Sequence, residues 1–369
     1  MHRHYGLVLL AVAAGCTNRV TEGSGGSTGS TTSATTSTSA ATTSATSPVT
    51  VSSVATTTNS SSTGGMLGCV TPDGLIVAMN HIYAGDKDPN GTTSSTAWEQ
   101  YGLNIDGLNT TNNFAGHCQP NSGGTPSQAF LNGNAGIDNS FGHNIVPLLG
   151  TVAQGWSDNI NMNITAGDAG YFFDLVGATI MPDQTGITTR FYSGDQLGYA
   201  PKFDGTDCWP VDGATVNNPN DITSAKVVFS GGSLASNVWT SGPPQTLSLT
   251  IAVQGAALTL TLHHAVVQAP FTVDHKGTVL GQISGVLGTE EFVNTVKQLA
   301  GTFDPSLCSG SALMAIESQI RQASDIMVDG TQDPNQTCNG ISIGLGFTAK
   351  QIKLGGVGPA SPPPATPCP

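Results

Sequence analysis

The sequence predicts a mainly β domain with a few helices, an antiparallel β-sandwich carried behind a disordered Ser/Thr-rich stalk. Three observations lead there. The first is a period of two in residues 246–262. "TLSLTIAV" sets Leu247, Leu249, Ile251 and Val253 against Thr and Ser, "QGAA" interrupts, and "LTLTL" resumes with Leu258, Leu260 and Leu262. Alternation on both sides of a Gly-containing break is the pattern of a β-hairpin with one buried face. The second is residues 17–65, which carry almost no large apolar side chains and cannot offset their own ordering entropy. The third is an even set of six cysteines spread over the remainder, the usage of an exported, disulfide-stapled domain.

The chain opens "MHRHYG", with Arg3 and two histidines, then runs "LVLLAVAAG" before Cys16. That apolar run is too short to cross a bilayer. It suits a cleaved export signal over residues 1–15. Ala13-Ala14-Gly15-Cys16 resembles the lipobox of bacterial lipoproteins, with Ala13 in the place usually held by Leu. The resemblance implies that Cys16 becomes the lipidated first residue and that the membrane is a partner through that anchor. Thr17, where Asp would retain the protein at the inner membrane, implies the outer membrane or cell surface. Several acyl chains hold firmly, each buried methylene adding about 0.8 kcal/mol. Residues 16–65 are then lipidated cysteine and linker. A flexible coil of that size spans roughly 35–42 Å on average and stretches to about 160 Å.

The globular domain is expected over 66–357. In its first half "GLIVAM", "YFFDLVGATI" and "ITTRFYSG" read as strands; "AKVVFSG", "FTVDHKG" and "TVLGQISGVLG" follow in the second. A closing strand is expected in "CNGISIGLGFTAKQIKLGG", where Ile341, Ile343, Leu345 and Phe347 alternate. The Pro-rich tail 358–369 cannot extend a sheet.

Helical spacing appears three times. In "TEEFVNTVKQLA", Phe292, Val293, Val296, Leu299 and Ala300 share a face, Thr289 suits the cap, and Glu290 and Glu291 suit the first turn. In "SALMAIESQIRQASDIM", Leu313, Ile316, Ile320, Ala323 and Met327 form a stripe. The third begins at Asn144 and carries Ile145, Leu148, Leu149, Val152, Trp156, Ile160 and Ile164, with Gly155 its weak point and Pro147 in the first turn. "GIDNSFGHN" (136–144) precedes it. Either it is a ligand site, or it is a turn in which Asn144 caps the helix, Gly142 turns left-handed, and Asp138 and Asn139 hold the backbone.

Cys69, Cys118, Cys208, Cys308, Cys338 and Cys368 form no CxxC pair, which argues against zinc-ribbon and thioredoxin-type sites. They read as three disulfides with fifteen connectivities open. Cys308–Cys338 is the favoured single pair, because the segment between looks like one closed unit.

Two acidic loops are the candidate metal sites, with calcium the expected ion. "DKDPNG" places Asp86, Asp88 and Asn90 before Gly91, the opening of a calcium loop, but Ala97 stands where an EF-hand needs Glu. The alternative is a solvated turn. "FDGTDCWPVDG" sets Asp204, Asp207 and Asp212 beside Trp209, for calcium or for stacking on a sugar. The alternative there is a disulfide-pinned loop with Trp209 buried. His263 and His264 should face opposite sides of a strand, one buried and one exposed.

The chain has no GxSxG, HExxH or Walker loop. "GWSDN" puts Ser157 beside Asp158, but a triad would need a His placed by the fold. A formal net charge of −13 with only 11 Lys and Arg argues against nucleic acid.

"GIDNSFGHNIVPLL", "FDGTDCWPVD" and "CNGISIGLGFTA" resemble segments of surface lipoproteins abundant in myxobacteria, a family with no assigned activity. The resemblance implies a secreted β-rich domain and no catalysis. The function expected is noncatalytic recognition of a glycan, protein or calcium ligand. The alternatives are a polysaccharide hydrolase and a structural envelope protein.

Overall fold

The computed structural model describes residues 68–369 apart from 71, 72, 112, 122, 254, 255, 304–307, 364–367 and 369. The export signal, Cys16 and the stalk lie outside the described residues.

Among the described residues thirteen strands are seen: β1 Gly74–Tyr83, β2 Gly170–Val176, β3 Gln184–Gly194, β4 Cys208–Val211, β5 Val216–Asn218, β6 Asp221–Ala225, β7 Val227–Ala235, β8 Val238–Thr240, β9 Gln245–Val253, β10 Ala256–Pro270, β11 Gly281–Gly288, β12 Gly340–Gln351 and β13 Lys353–Val357. The helices are a single turn α1 Pro126–Ala129, then α2 Val146–Val152, α3 Trp156–Ala166, α4 Thr289–Phe303 and α5 Ser311–Gln322. The mainly β class expected from the sequence is what the chain adopts.

Eleven of these strands form one sheet, antiparallel except where β13 runs parallel to β4, and that sheet closes on itself; β5 and β6 form a separate hairpin. The order β3-β2-β1-β12-β11-β10-β8-β7 returns to β3 through a β3–β7 pairing, and every link in that ring is antiparallel. Closure removes the edges that an open sheet would leave unpaired. The predicted hairpin is β9–β10, in register Leu249↔Leu260 and Leu247↔Leu262. The 15 residues of β10 serve three partners, β11 on one edge and, on the other, β9 along the first part and β8 at Gln268–Pro270.

Alternation explains the core. Val77, Phe173, Phe191, Trp239, Leu260, Ile283, Ile343 and Phe347 belong to one buried cluster. Phe173 lies 5.4 Å from Phe191, 5.1 Å from Trp239 and 5.6 Å from Phe347, so rings from well-separated strands meet inside the ring. A second cluster lies on the opposite face. There Ile76, Phe172, Tyr192, Trp209 and Leu354 pack with Val216 and Ala225 of the β5–β6 hairpin.

Several expectations are corrected. Cys308 pairs with Cys368, Cys118 with Cys338, and Cys69 with Cys208; Cys308–Cys338 does not form. The reason is backbone pairing. Cys338 N–H donates to Gln119 and Gln119 N–H to Gln336, which brings Cys118 to a Cα distance of 5.2 Å from Cys338. The Cys308–Cys368 bond pins the Pro-rich tail, which Gly358 N–H to Val211 and Ser361 N–H to Asp212 also hold.

"FTVDHKG" is not a strand but a tight turn after β10. Asp274 accepts from Thr272 Oγ1 and Lys276 N–H, and His275 sits at φ 53°. His263 and His264 are both half-exposed, because β10 shifts register between His263 and Val266 and His264 adopts φ 50°. The helix predicted from Asn144 begins at Phe141 with a π-turn over Phe141–Ile145, and Asn144 does not cap it. Gly155 does break it: at φ 71° it takes a left-handed conformation open to glycine, and α3 restarts at Trp156. The stripe predicted to Met327 is helical only to Gln322, after which Ile326 bridges to Gly340.

Candidate functional site

"GIDNSFGHN" is neither an open ligand site nor a local turn. It is the centre of a buried polar knot. Asn139 Nδ2 approaches the carbonyls of Trp98, Tyr101 and Gly344 at 3.1 Å each, and its Oδ1 accepts from Gly142 N–H and Gly344 N–H at 2.9 and 3.0 Å. Ser140 donates to Ala323 O, and its N–H donates to Ser342 Oγ. Asp138 accepts from Ile105 N–H, Asp106 N–H and Asn132 Nδ2. Asp325 accepts from Ser342 N–H and Oγ. Burial raises Asp138 to about 7, with the neighbouring Asp106 adding to the rise. Burial drives Asp325 well above the usual carboxylate range.

The open site lies beside this knot. β1 ends at Tyr83 and the chain turns through Gly85 into the predicted acidic loop. Ser157, at the start of α3, donates to Asp86 Oδ2 at 2.5 Å. Lys87 pairs with Asp158 of the same helix turn. Asn161, one turn further, clamps α3 to β1: its Oδ1 accepts from Ile82 N–H at 2.8 Å and its Nδ2 donates to Ile82 O at 2.9 Å. Between loop and helices opens a cleft of about 470 Å³. It is lined by the apolar side chains of Trp98, Val146, Pro147 and Trp156 and by the polar ones of Asp86, Lys87, Thr93, Ser94, Ser95, Ser157 and Asp158. Gly142 permits the close approach of its π-turn to this loop, since a Cβ there would meet Trp98 Cβ at 2.7 Å. The Trp98 ring lies tilted at 4.6 Å from that of His143, whose pKa burial lowers. Tyr101 donates to Lys87 O at 2.8 Å, fixing the loop backbone, and burial pushes its phenol up. Burial, then Lys87, lowers His81 at the strand end.

The predicted calcium ligands are not brought together. Asp86 faces Ser157, while Asp88 Oδ1 accepts from Asn90 N–H and Thr92 N–H and closes an Asx turn; Asn90 is exposed. In the second loop Asp204 accepts from Thr206 N–H and Oγ1, Asp207 from Lys202 and Phe203 N–H, and Asp212 from Ala214 and Ser361 N–H. Trp209 is fully buried and donates to Asp195 O, so it offers no face to a sugar. Among the described residues no three His, Cys, Asp or Glu side chains gather as a metal set.

Sequence reading singled out Asp86 and Ser157–Asp158 but not their meeting, nor Lys87, Trp98 and Trp156 as lining. No local pattern signals a contact across 71 residues. No known protein family, curated protein or solved structure matches this chain.

Proposed function

We propose that this chain is an exported bacterial lipoprotein, anchored through Cys16 at the outer membrane or cell surface, whose domain binds a saccharide without transforming it. The observation that carries the binding reading is the cleft between the Asp86 loop and α3. A sugar ring has an apolar face and a hydroxyl edge. The cleft sets aromatic and aliphatic side chains beside hydroxyls, carboxylates and one ammonium, the combination that fixes such a ligand. The anchor reading rests on the lipobox resemblance and on residues 17–65 as a spacer.

The test is titration calorimetry of soluble oligosaccharides against the protein and its Ser157→Ala and Lys87→Met variants. One saccharide class should bind, and each variant should weaken it at least tenfold. Binding unchanged in both variants, or no saccharide binding at all, overturns the cleft assignment. Mass spectrometry of the native N-terminus checks the anchor: a chain starting at Cys16 with acyl mass is expected, and any other start overturns it.

One observation favours a second reading. Asp86 and Asp158 both face this cleft, and a glycoside hydrolase needs two carboxylates flanking its substrate. Release of reducing sugar by the wild type, lost in Asp86→Asn, would replace binding with hydrolysis.

A further inference from the structure

We propose that one end of the strand ring is a membrane-docking surface, and that its partner is the zwitterionic phospholipid bilayer in which the chain's own anchor sits. The feature that carries this is a set of bare apolar side chains at loop tips. Val273 is 89% exposed, Ile180 71%, Val279 61% and Met181 60%. Single exposed apolar residues are ordinary, but several on one loop cluster mark an interaction surface.

These four belong to one cluster because His275 ties their loops together. Its Nδ1 lies 2.9 Å from Thr179 O, next to Ile180, and its Nε2 lies 2.8 Å from Asn237 Oδ1. Asn237 N–H donates to Pro182 O, just after Met181, and Phe271 N–H donates to Asn237 O. Val279 N–H donates to Pro270 O and closes the hairpin that carries Val273. His275 is fully buried beneath the tips, so the apolar residues ride on an ordered base.

The same end is where the chain enters the domain. Gly74 pairs with Val176, and Gly177 N–H donates to Asp73 O, so the start of β1 lies beside the loop that carries Ile180 and Met181. Val77 pairs with Gln351, and Gly277 bridges to Lys350, so the Val273 hairpin joins that end too. The disulfide Cys69–Cys208 fixes the entry point. The chain that enters at Cys69 therefore reaches the start of β1 beside the apolar tips. The partner's charge follows from the loops. Asp73, Asp183 and Asp274 stand here against Lys276 and Lys350, a rim close to neutral in a chain of formal net charge −13, which suits zwitterionic rather than anionic headgroups. Protruding tips with a polar rim insert shallowly into the interfacial zone of a bilayer.

This inference rests on the anchored reading only for the source of the bilayer, and the test separates the two. The full chain carrying Cys16→Ser, which has no site for acyl chains, is sedimented with phosphatidylcholine vesicles. It should associate with them, and Ile180→Asp combined with Val273→Asp should lower the partition coefficient at least tenfold while the unfolding midpoint stays in place. Independently, Val273→Trp in the same chain should gain emission that brominated phosphatidylcholine quenches. Absence of association and of quenching overturns the proposal whatever the native N-terminus carries. So does a concentration-dependent dimer abolished by the double Asp variant, which would make a second copy the partner.

Discussion

Two regions built from the same residue types lie side by side in this molecule. The knot at Asp138–Asn139–Ser140 and the cleft at Asp86–Lys87–Ser157–Asp158 both combine carboxylates, hydroxyls, glycines and a tryptophan. In the knot, every side chain is answered by backbone groups from distant segments, and Asn139 alone joins Trp98, Tyr101, Gly142 and Gly344. In the cleft, side chains meet in pairs at the edge of an open volume, leaving hydroxyls and charges facing solvent. A saturated polar network has nothing left to offer a ligand and serves to hold segments in register. Partly satisfied polar groups beside apolar side chains can still bind. Trp98 joins the two, its carbonyl in the knot and its side chain lining the cleft.

The comparison can be broken most severely at Asn139. Asn139→Ala strips partners from three carbonyls and two N–H groups in the fully buried interior. It should cost about 3–5 kcal/mol in urea unfolding, the range of a disrupted buried network. A loss below 1 kcal/mol would mean that water replaces the amide and that the knot is not closed.

The next effect is pH dependence. Because burial raises Asp138 to about 7, the folded state holds a proton that the unfolded chain gives up near pH 4. The native state binds more protons between those values. Stability is therefore full below about pH 4, falls as pH rises, and levels off above about 7, by about 4 kcal/mol in all. Asp325, also raised, acts in the same direction. The exposed aspartates with lowered values, such as Asp204 and Asp333, act below that window. Thermal unfolding from pH 4 to 7 should show a falling midpoint, and Asp138→Asn should flatten it. A midpoint that rises across the window contradicts the assignment.

On the cleft side the expected order reverses, with small effects on stability and large ones on binding. Ser157→Ala removes one part-buried hydrogen bond and should cost about 1 kcal/mol, with saccharide affinity falling at least tenfold. Lys87→Met breaks an ion pair whose carboxylate is largely exposed, so its unfolding midpoint should move by less than about 0.5 kcal/mol. A Lys87→Met change larger than the Ser157→Ala change would show that the loop, not the ligand, depends on that pair.

Legibility in the sequence followed the range of the interactions. The β9–β10 hairpin was readable because its register partners lie within some twenty residues and alternating Leu, Ile and Val residues flank the "QGAA" break on both sides. The three amphipathic stripes were readable for the same reason, and Gly155 announced its own kink. The disulfides were countable but not pairable: Cys118 meets Cys338 across 220 residues through strand-like pairing that no spacing encodes. "GIDNSFGHN" reads in sequence as a ligand site or a local turn and is neither, because four of the five backbone groups bonded by Asn139 lie 38 or more residues away.

The sequence alone determined the material of each part: a Ser/Thr-rich segment with almost no large apolar side chains, strands of period two, helices of period 3.6, and six cysteines spread over the chain after that segment. Those properties follow from side-chain size and local spacing, which any short window contains. The tertiary structure decided that β3 meets β7 to close the ring, that Asp86 meets Ser157, and that the loops of Ile180 and Val273 meet through His275. Each of these is a meeting of segments far apart in the chain. Only the packing of the whole core brings them together, since no local free energy favours one distant partner over another.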